Sequence, residues 1–233
     1  MRKSLIAILI SLILACLLTP GLFADEKRPV TIEDIFTLKD ISEVELSPDG
    51  RMIAFLSNRD EESQIWLISP FAGEAHQLTD SKTGVSTFAW SPCGKKIAYL
   101  APQPPTEEEE KRKKEKEDVI VVGKEFKMNC LWLIDVATKE VKQLTKGDFH
   151  ITSFEWSPKG DQIAFSAQPT PKVPDSFNSD LYLISLPDGE PQKLVGRPGP
   201  DSDPCWGPEG KSIYFLGPTG ITYNLFRISA AGG

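Results

Sequence analysis

A chain of 233 residues, 40% hydrophobic and 25% charged, is long enough to bury a core and too apolar for a disordered polymer. Its formal charge of −7 comes without a basic stripe, which excludes the electrostatic footprint of a nucleic-acid binder. Four cysteines without a CxxC pair exclude a scaffold held together by disulfides.

At the N-terminus Arg2 and Lys3 precede the apolar run LIAILISLILACLL, and TPGLFA then ends on the small Ala24. A basic start, a greasy middle and a small final residue describe a secretory signal peptide over residues 1–24. Two other readings share that run: a retained membrane anchor, and lipidation of Cys16 within ILAC. All three mean export, to a periplasmic or extracellular location. Losing residues 1–24 takes the charge to −9 and leaves Cys93, Cys130 and Cys205. One disulfide among them is compatible with an oxidising compartment, although each also reads as a small buried hydrophobe. Residues 25–40 make an N-terminal segment in which Thr31 caps a short helix over TIEDIFTL, 31–38.

From residue 41 a single pattern repeats. The turns SPDG (47–50), SPCG (91–94), SPKG (157–160) and GPEG (207–210) each follow an apolar residue: Leu46, Trp90, Trp156 and Trp206. Each turn leads into an alternating strand, MIAFLS, KIAYLA, QIAFSA or SIYFLG. A third strand follows as QIWLIS, CLWLID, DLYLIS and NLFRIS, and HQLT, KQLT and QKLV supply a fourth in the first three units. Ser opens the turn through its hydroxyl, Pro presets φ, and Gly takes the left-handed corner, so the motif needs no catalytic serine. Units of four antiparallel strands at a period near 45 residues predict an all-β chain built as a β-propeller. The blades run over about 41–80, 85–146, 151–196 and 201–233, the last one incomplete. The turns are spaced by 44, 66 and 50 residues, and the long interval marks a charged insertion at 102–128, between the second and third strands of blade 2. Its run EEEEKRKK offers Glu–Lys and Glu–Arg pairs four apart, acid first, as a solvated helical turn or loop would. DVIVV, 118–122, reads as a short extra strand. Because NLFRIS stops before a fourth strand, the residues are expected to be the front part of a longer protein.

The stretch VTIEDIFTLKDISEVELSPDGRMIAFLSN resembles the opening of bacterial serine peptidases of the prolyl oligopeptidase family, including the dipeptidyl-peptidase and acylaminoacyl-peptidase branches. The charged insertion followed by DVIVVGKEFKMNCLWLIDVATKEVKQLT is similar to the same family, and the likeness spans about residues 29–233. SPDG-type blades are also shared with exported TolB-like propellers. The resemblance implies a propeller that gates peptide substrates into a C-terminal α/β-hydrolase domain, where a Ser in a G-x-S-x-G elbow works with a later Asp and His. No such elbow stands here: GVSTF (84–88) lacks the second Gly. Only His76 and His150 are available as bases, and nothing in the sequence links them. The pairs Glu33–Asp34 and Glu61–Glu62 match no family motif and receive no role.

No catalytic, cofactor-binding or metal-binding residue is therefore assigned, and no cofactor is expected. Expected partners are peptide substrates acting through the hydrolase domain, with a homo-oligomer or a protein partner as open alternatives. A non-enzymatic TolB-like interaction propeller is the second functional reading. A sugar-active or lyase propeller would need an inward His, Asp or Arg set, which two histidines do not supply.

Overall fold

The computed structural model describes residues 40–71, 73–115 and 126–232. The leader, the helix expected at 31–38 and the strand expected at 118–122 lie outside them. The described chain folds into antiparallel sheets in sequence order. Blade 1 holds β1 (Ile41–Leu46), β2 (Ile53–Asp60), β3 (Glu62–Ile68) and β4 (His76–Gln77). Blade 2 holds β5 (Thr87–Trp90), β6 (Lys96–Pro102), β7 (Asn129–Asp135) and β8 (Val141–Gln143). Blade 3 holds β9 (His150–Trp156), β10 (Gln162–Gln168), β11 (Asp180–Ser185) and β12 (Gln192–Val195). Blade 4 holds β13 (Ser202–Trp206), β14 (Ser212–Thr219) and β15 (Thr222–Ser229). Four strands per repeat hold for the first three blades, and three strands are described in the fourth.

The middle strands read as continuous apolar runs because both of their faces are buried. Ile97 and Tyr99 of β6 pack toward blade 1 with Ala54, Ile65 and Leu67. The alternate residues Ala98 and Leu100 pack toward blade 3 with Trp156, Ile163 and Phe165. The core therefore lies between successive sheets. Each tryptophan before a turn shares a cluster with one small residue of the preceding blade: Trp90 with Ala54, Trp156 with Ala98, and Trp206 with Ala164. Blade 4 departs from this, carrying Tyr214 where the other blades have alanine.

Two of the three joints repeat a hydrogen bond as well as the packing, whereas the buried Trp90 indole of the first has no such partner. The Trp156 indole donates to the Ala89 carbonyl at 3.2 Å, and the Trp206 indole donates to the Glu155 carbonyl at 3.2 Å. Turn stacks on turn. A Cβ built on Gly160 would stand 3.3 Å from Cδ of Pro92, one on Gly94 would stand 3.5 Å from Pro48, and one on Gly210 would stand 3.7 Å from Pro158. All three glycines have φ near +70°, so the corner needs Gly on conformational grounds and keeps it small for the neighbour.

The turn serine has a structural task. Ser47 Oγ accepts from Met52 N at 2.9 Å, Ser91 Oγ from Lys96 N at 3.0 Å, and Ser157 Oγ from Gln162 N at 3.1 Å. Gly207 lacks a hydroxyl, yet its turn keeps the backbone bonds Gly207 N to Ser212 O and Gly210 N to Gly207 O. The threonine of QLT is a second bracket: Thr79 Oγ1 accepts from Ile65 N at 2.9 Å and Thr145 Oγ1 from Leu131 N at 3.0 Å.

The insertion leaves β6 and returns into β7, as its spacing predicts, and begins with the helix α1 (Glu107–Lys114). Thr106 and Glu109 form a reciprocal capping box, Glu109 N donating to Thr106 Oγ1 at 3.3 Å and Thr106 N to Glu109 Oε2 at 2.6 Å. Glu109 and Glu110 reach out of the helix, to Lys127 at 2.5 Å and to Lys82 at 2.9 Å. The helix is thereby tied back to the propeller rather than left as a free solvated arm.

Candidate functional site

The first strand of each blade has one unpaired edge, and the edges of β1, β5 and β9 border a cleft of about 780 Å³. That size suits a small ligand or a peptide segment. The cleft draws its character from residues at fixed offsets before each turn. Two residues ahead stand Glu45, Ala89, Glu155 and Cys205; four ahead stand Glu43, Thr87, Ser153 and Asp203.

Three carboxylates cap free strand edges. Phe88 N donates to Glu43 Oε2 at 3.2 Å, Trp90 N to Glu45 Oε2 at 3.4 Å, and Trp206 N to Glu155 Oε2 at 2.6 Å. Each glutamate thus satisfies the N–H groups that the next blade turns toward the centre. Burial pushes the Glu45 carboxyl above its ordinary value; the Trp90 N–H opposes this, and the charge of nearby Glu43 adds to it.

The backbone is irregular at the same level. Glu43 has φ 43° and Asp203 has φ 52°, both where the strand register slips. In β9 the slip leaves Thr152 as the extra residue, and Thr152 and Ser153 both bond the buried Ser166 hydroxyl, at 2.8 and 2.7 Å. Bulges of this kind re-aim side chains at sheet edges. The result is a polar rim of hydroxyls and carboxylates above the aromatic residues Phe88, Phe154 and the tryptophans. Such a lining can accept hydrogen bonds and favour positive charge.

No histidine lines this cleft among the described residues. His76 is exposed on β4. His150 opens β9, where its Nδ1 accepts from Asn129 N at 3.0 Å and burial lowers its pKa. That bond occupies one ring nitrogen as an acceptor. Ser86 of GVSTF lines the cleft and donates to the Leu100 carbonyl at 3.2 Å. Glu61, with φ 75°, turns the chain between β2 and β3 and Glu62 opens β3, both outside the cleft lining, and Glu33–Asp34 lies outside the described residues. Among the described residues no group of three or more His, Cys, Asp or Glu side chains is placed to hold a metal ion.

The cysteines need a correction. Cys130 is buried as expected, but Cys93 and Cys205 are exposed free thiols. Cys93 occupies the outward third position of its turn, alongside Asp49, Lys159 and Glu209 of the others. Cys205 takes the inward offset that Glu45 and Glu155 fill elsewhere. The recurrence of an acid two residues before the turn, at Glu45 and Glu155, is the sequence signal of these capping residues, which the motif SPxG alone does not reveal.

No protein-family model matches the chain. The uncharacterized peptidase YuxL of Bacillus subtilis is 32% identical over an alignment of 155 residues that covers 59% of this chain and 23% of YuxL. Among solved structures, TolB from Acinetobacter baumannii superposes with a TM-score of 0.58 at 18% identity, covering 84% of this chain and 42% of TolB. The acylaminoacyl peptidase of Pyrococcus horikoshii gives 0.59 at 23% identity, covering 81% of this chain and 30% of the peptidase. The fold is a β-propeller. At low identity it is similar to the TolB and acylaminoacyl peptidase structures, and in sequence to the peptidase YuxL. The chain spans less than a quarter of YuxL and under half of either structural relative.

Proposed function

We propose that this chain is the N-terminal propeller part of an exported serine peptidase resembling the prolyl oligopeptidase family. In this reading residues 1–24 are a signal peptide and residues 41–233 supply blades over about 41–80, 85–146, 151–196 and 201–233. A C-terminal α/β-hydrolase domain beyond Gly233 carries the Ser, Asp and His, and the propeller admits peptides while excluding folded proteins. The observation that carries the reading is the 32% identity to the peptidase YuxL; among the solved structures the acylaminoacyl peptidase is 23% identical and TolB 18%. The cleft fits the same role, since its carboxylates and unpaired edges suit an extended cationic or polar peptide.

A ring completed by further blades belongs to this proposal. Trp90, Trp156 and Trp206 are 8, 7 and 7% exposed, each covered by the blade before it, whereas Leu46 at the same position of blade 1 is 60% exposed. Ile41 and Val44 of the same strand are also exposed. Those apolar groups await a preceding neighbour, which in a closed ring is the last blade.

The test is the reading frame past Gly233 together with an activity assay. A G-x-S-x-G elbow followed by Asp and His is expected. The longer protein should hydrolyse chromogenic aminoacyl or acylaminoacyl substrates and be blocked by a fluorophosphonate, while residues 1–233 alone give background rates. A downstream sequence that only closes the ring would favour the second reading, a TolB-like periplasmic interaction propeller, which the near-equal TM-score supports.

A further inference from the structure

The outer half of every blade carries a cross-strand aromatic pair: Phe55 opposite Trp66, Tyr99 opposite Trp132, Phe165 opposite Tyr182, and Phe215 opposite Phe226. In three blades the chain itself covers that pair. The Arg59 guanidinium lies 5.3 Å from the ring centres of both Phe55 and Trp66. The Phe149 ring stacks on Tyr182 with centroids 4.9 Å apart. The Arg197 guanidinium lies 3.9 Å above Phe226 and 5.3 Å from Phe215.

Blade 2 differs. Phe149 comes from the connection leading into blade 3, eight residues before Ser157; eight residues before Ser91 stands Thr83. Thr83 is too short to cover a ring, and its hydroxyl is turned to the Pro102 carbonyl at 2.8 Å. A cavity of about 230 Å³ is left against Trp132, lined also by the edge of Tyr99, which is only 3% exposed, and walled by Pro102, Pro104 and Val141. Tyr99 and Trp132 are stacked at 15°, with centroids 6.3 Å apart, and the Trp132 indole is anchored to the Ala101 carbonyl at 3.2 Å. The platform is therefore pre-organised.

The cavity opens beside a second hollow that shares Lys82, Thr83 and Pro102 with it. Together their linings hold the carboxylates of Glu62, Asp80, Glu109 and Glu110 against the ammonium groups of Lys82 and Lys127. Both lysines are already paired, with Glu110 and Glu109. The mouth thus carries an excess of negative charge, and two of the three covered platforms hold a guanidinium.

We propose that the Tyr99–Trp132 cavity of blade 2 binds an arginine side chain presented by a peptide or protein ligand. The guanidinium takes the Trp132 face as Arg197 takes that of Phe226 in blade 4, and its charge faces the carboxylates of Asp80 and Glu62. A planar, weakly hydrated cation suits a desolvated aromatic platform better than an ammonium group does.

The test follows the Trp132 indole resonance of the 15N-labelled full chain, assigned with Trp132→Phe, during titration with N-acetyl-L-arginine amide. A saturable shift is expected, with about tenfold weaker binding of the lysine amide. Thr83→Phe should fill the cavity as Phe149 does in blade 3, weakening arginine binding by about tenfold or more with the fold retained. Should Thr83→Phe unfold the chain, Asp80→Asn with Glu62→Gln decides, with an expected loss of about threefold. No saturable shift, equal binding of lysine amide, tighter binding of N-acetyl-L-phenylalanine amide, or undiminished binding in these variants would each overturn the proposal.

Discussion

The two ends of the blades obey different rules. At one end lie the SPxG turns and the hairpins between third and fourth strands; antiparallel order sends the second-to-third connections and the links between blades to the other. The turn end is uniform: Pro48, Pro92 and Pro158 each receive the corner glycine of the next blade. The opposite end varies from blade to blade. It carries the insertion with α1 in blade 2, a 3-10 helix over Val173–Asn178 in blade 3, and a tight turn at Gly220 in blade 4. Even there the pieces touch, with Lys172 5.0 Å from the Phe126 ring. The difference teaches where stability and where recognition reside. One end fixes the spacing of the blades, which frees the other to be rebuilt.

Substitutions can break that contrast or sharpen it. The largest effect is expected from Trp156→Ala, which removes a buried indole from the joint between blades 2 and 3 and should cost about 3–5 kcal/mol in urea unfolding. A loss below about 1 kcal/mol would mean that the indoles do not hold the joints. Next come two glycines with similar left-handed φ, 74° for Gly160 and 65° for Gly220. Gly160→Ala adds a methyl 3.3 Å from Pro92, whereas Gly220→Ala meets nothing within 4 Å. Both should pay the conformational cost of about 1–2 kcal/mol, with Gly160→Ala the worse of the two. Equal losses would show that turn stacking contributes nothing.

The smallest effect lies at the insertion. Lys127 and the Thr106 N–H draw the Glu109 carboxyl from 4.5 down to about 2. A lowered carboxyl pKa stabilises the folded form above the ordinary value, and the gain is lost as pH falls from about 4.5 toward 2. Since the pair is partly solvated, the contribution stays below about 1 kcal/mol. A 13C titration of the Glu109 carboxyl should show the depressed midpoint, and a midpoint near 4.5 would mean the clasp does not form.

What could be read in the sequence was local. Ser, Pro and Gly in four consecutive residues specify a corner, so turns, strands and the insertion point were all legible. The joints were not, because their partners are far apart: 67 residues separate Trp156 from Ala89, and 51 separate Trp206 from Glu155. Only the superposed repeats reveal that the tryptophan and the alanine belong together. The acids of the cleft were hidden for a related reason. The shared offset of Glu45 and Glu155 before the turn is visible in the sequence, but the N–H groups they cap belong to the next blade, 45 and 51 residues on. Thr83 carried no signal of its own, since its meaning lies in the Phe149 that it replaces.

One departure from the repeat has a consequence for assembly. Ala54, Ala98 and Ala164 leave the hollow into which the following tryptophan settles, but Tyr214 fills that place in blade 4. A unit docking on that face must bring a smaller residue than tryptophan before its turn, or arrive at a different tilt. The three joints among the described blades therefore share one fit of tryptophan on alanine, and in the ring proposed above the face of blade 4 calls for a different one.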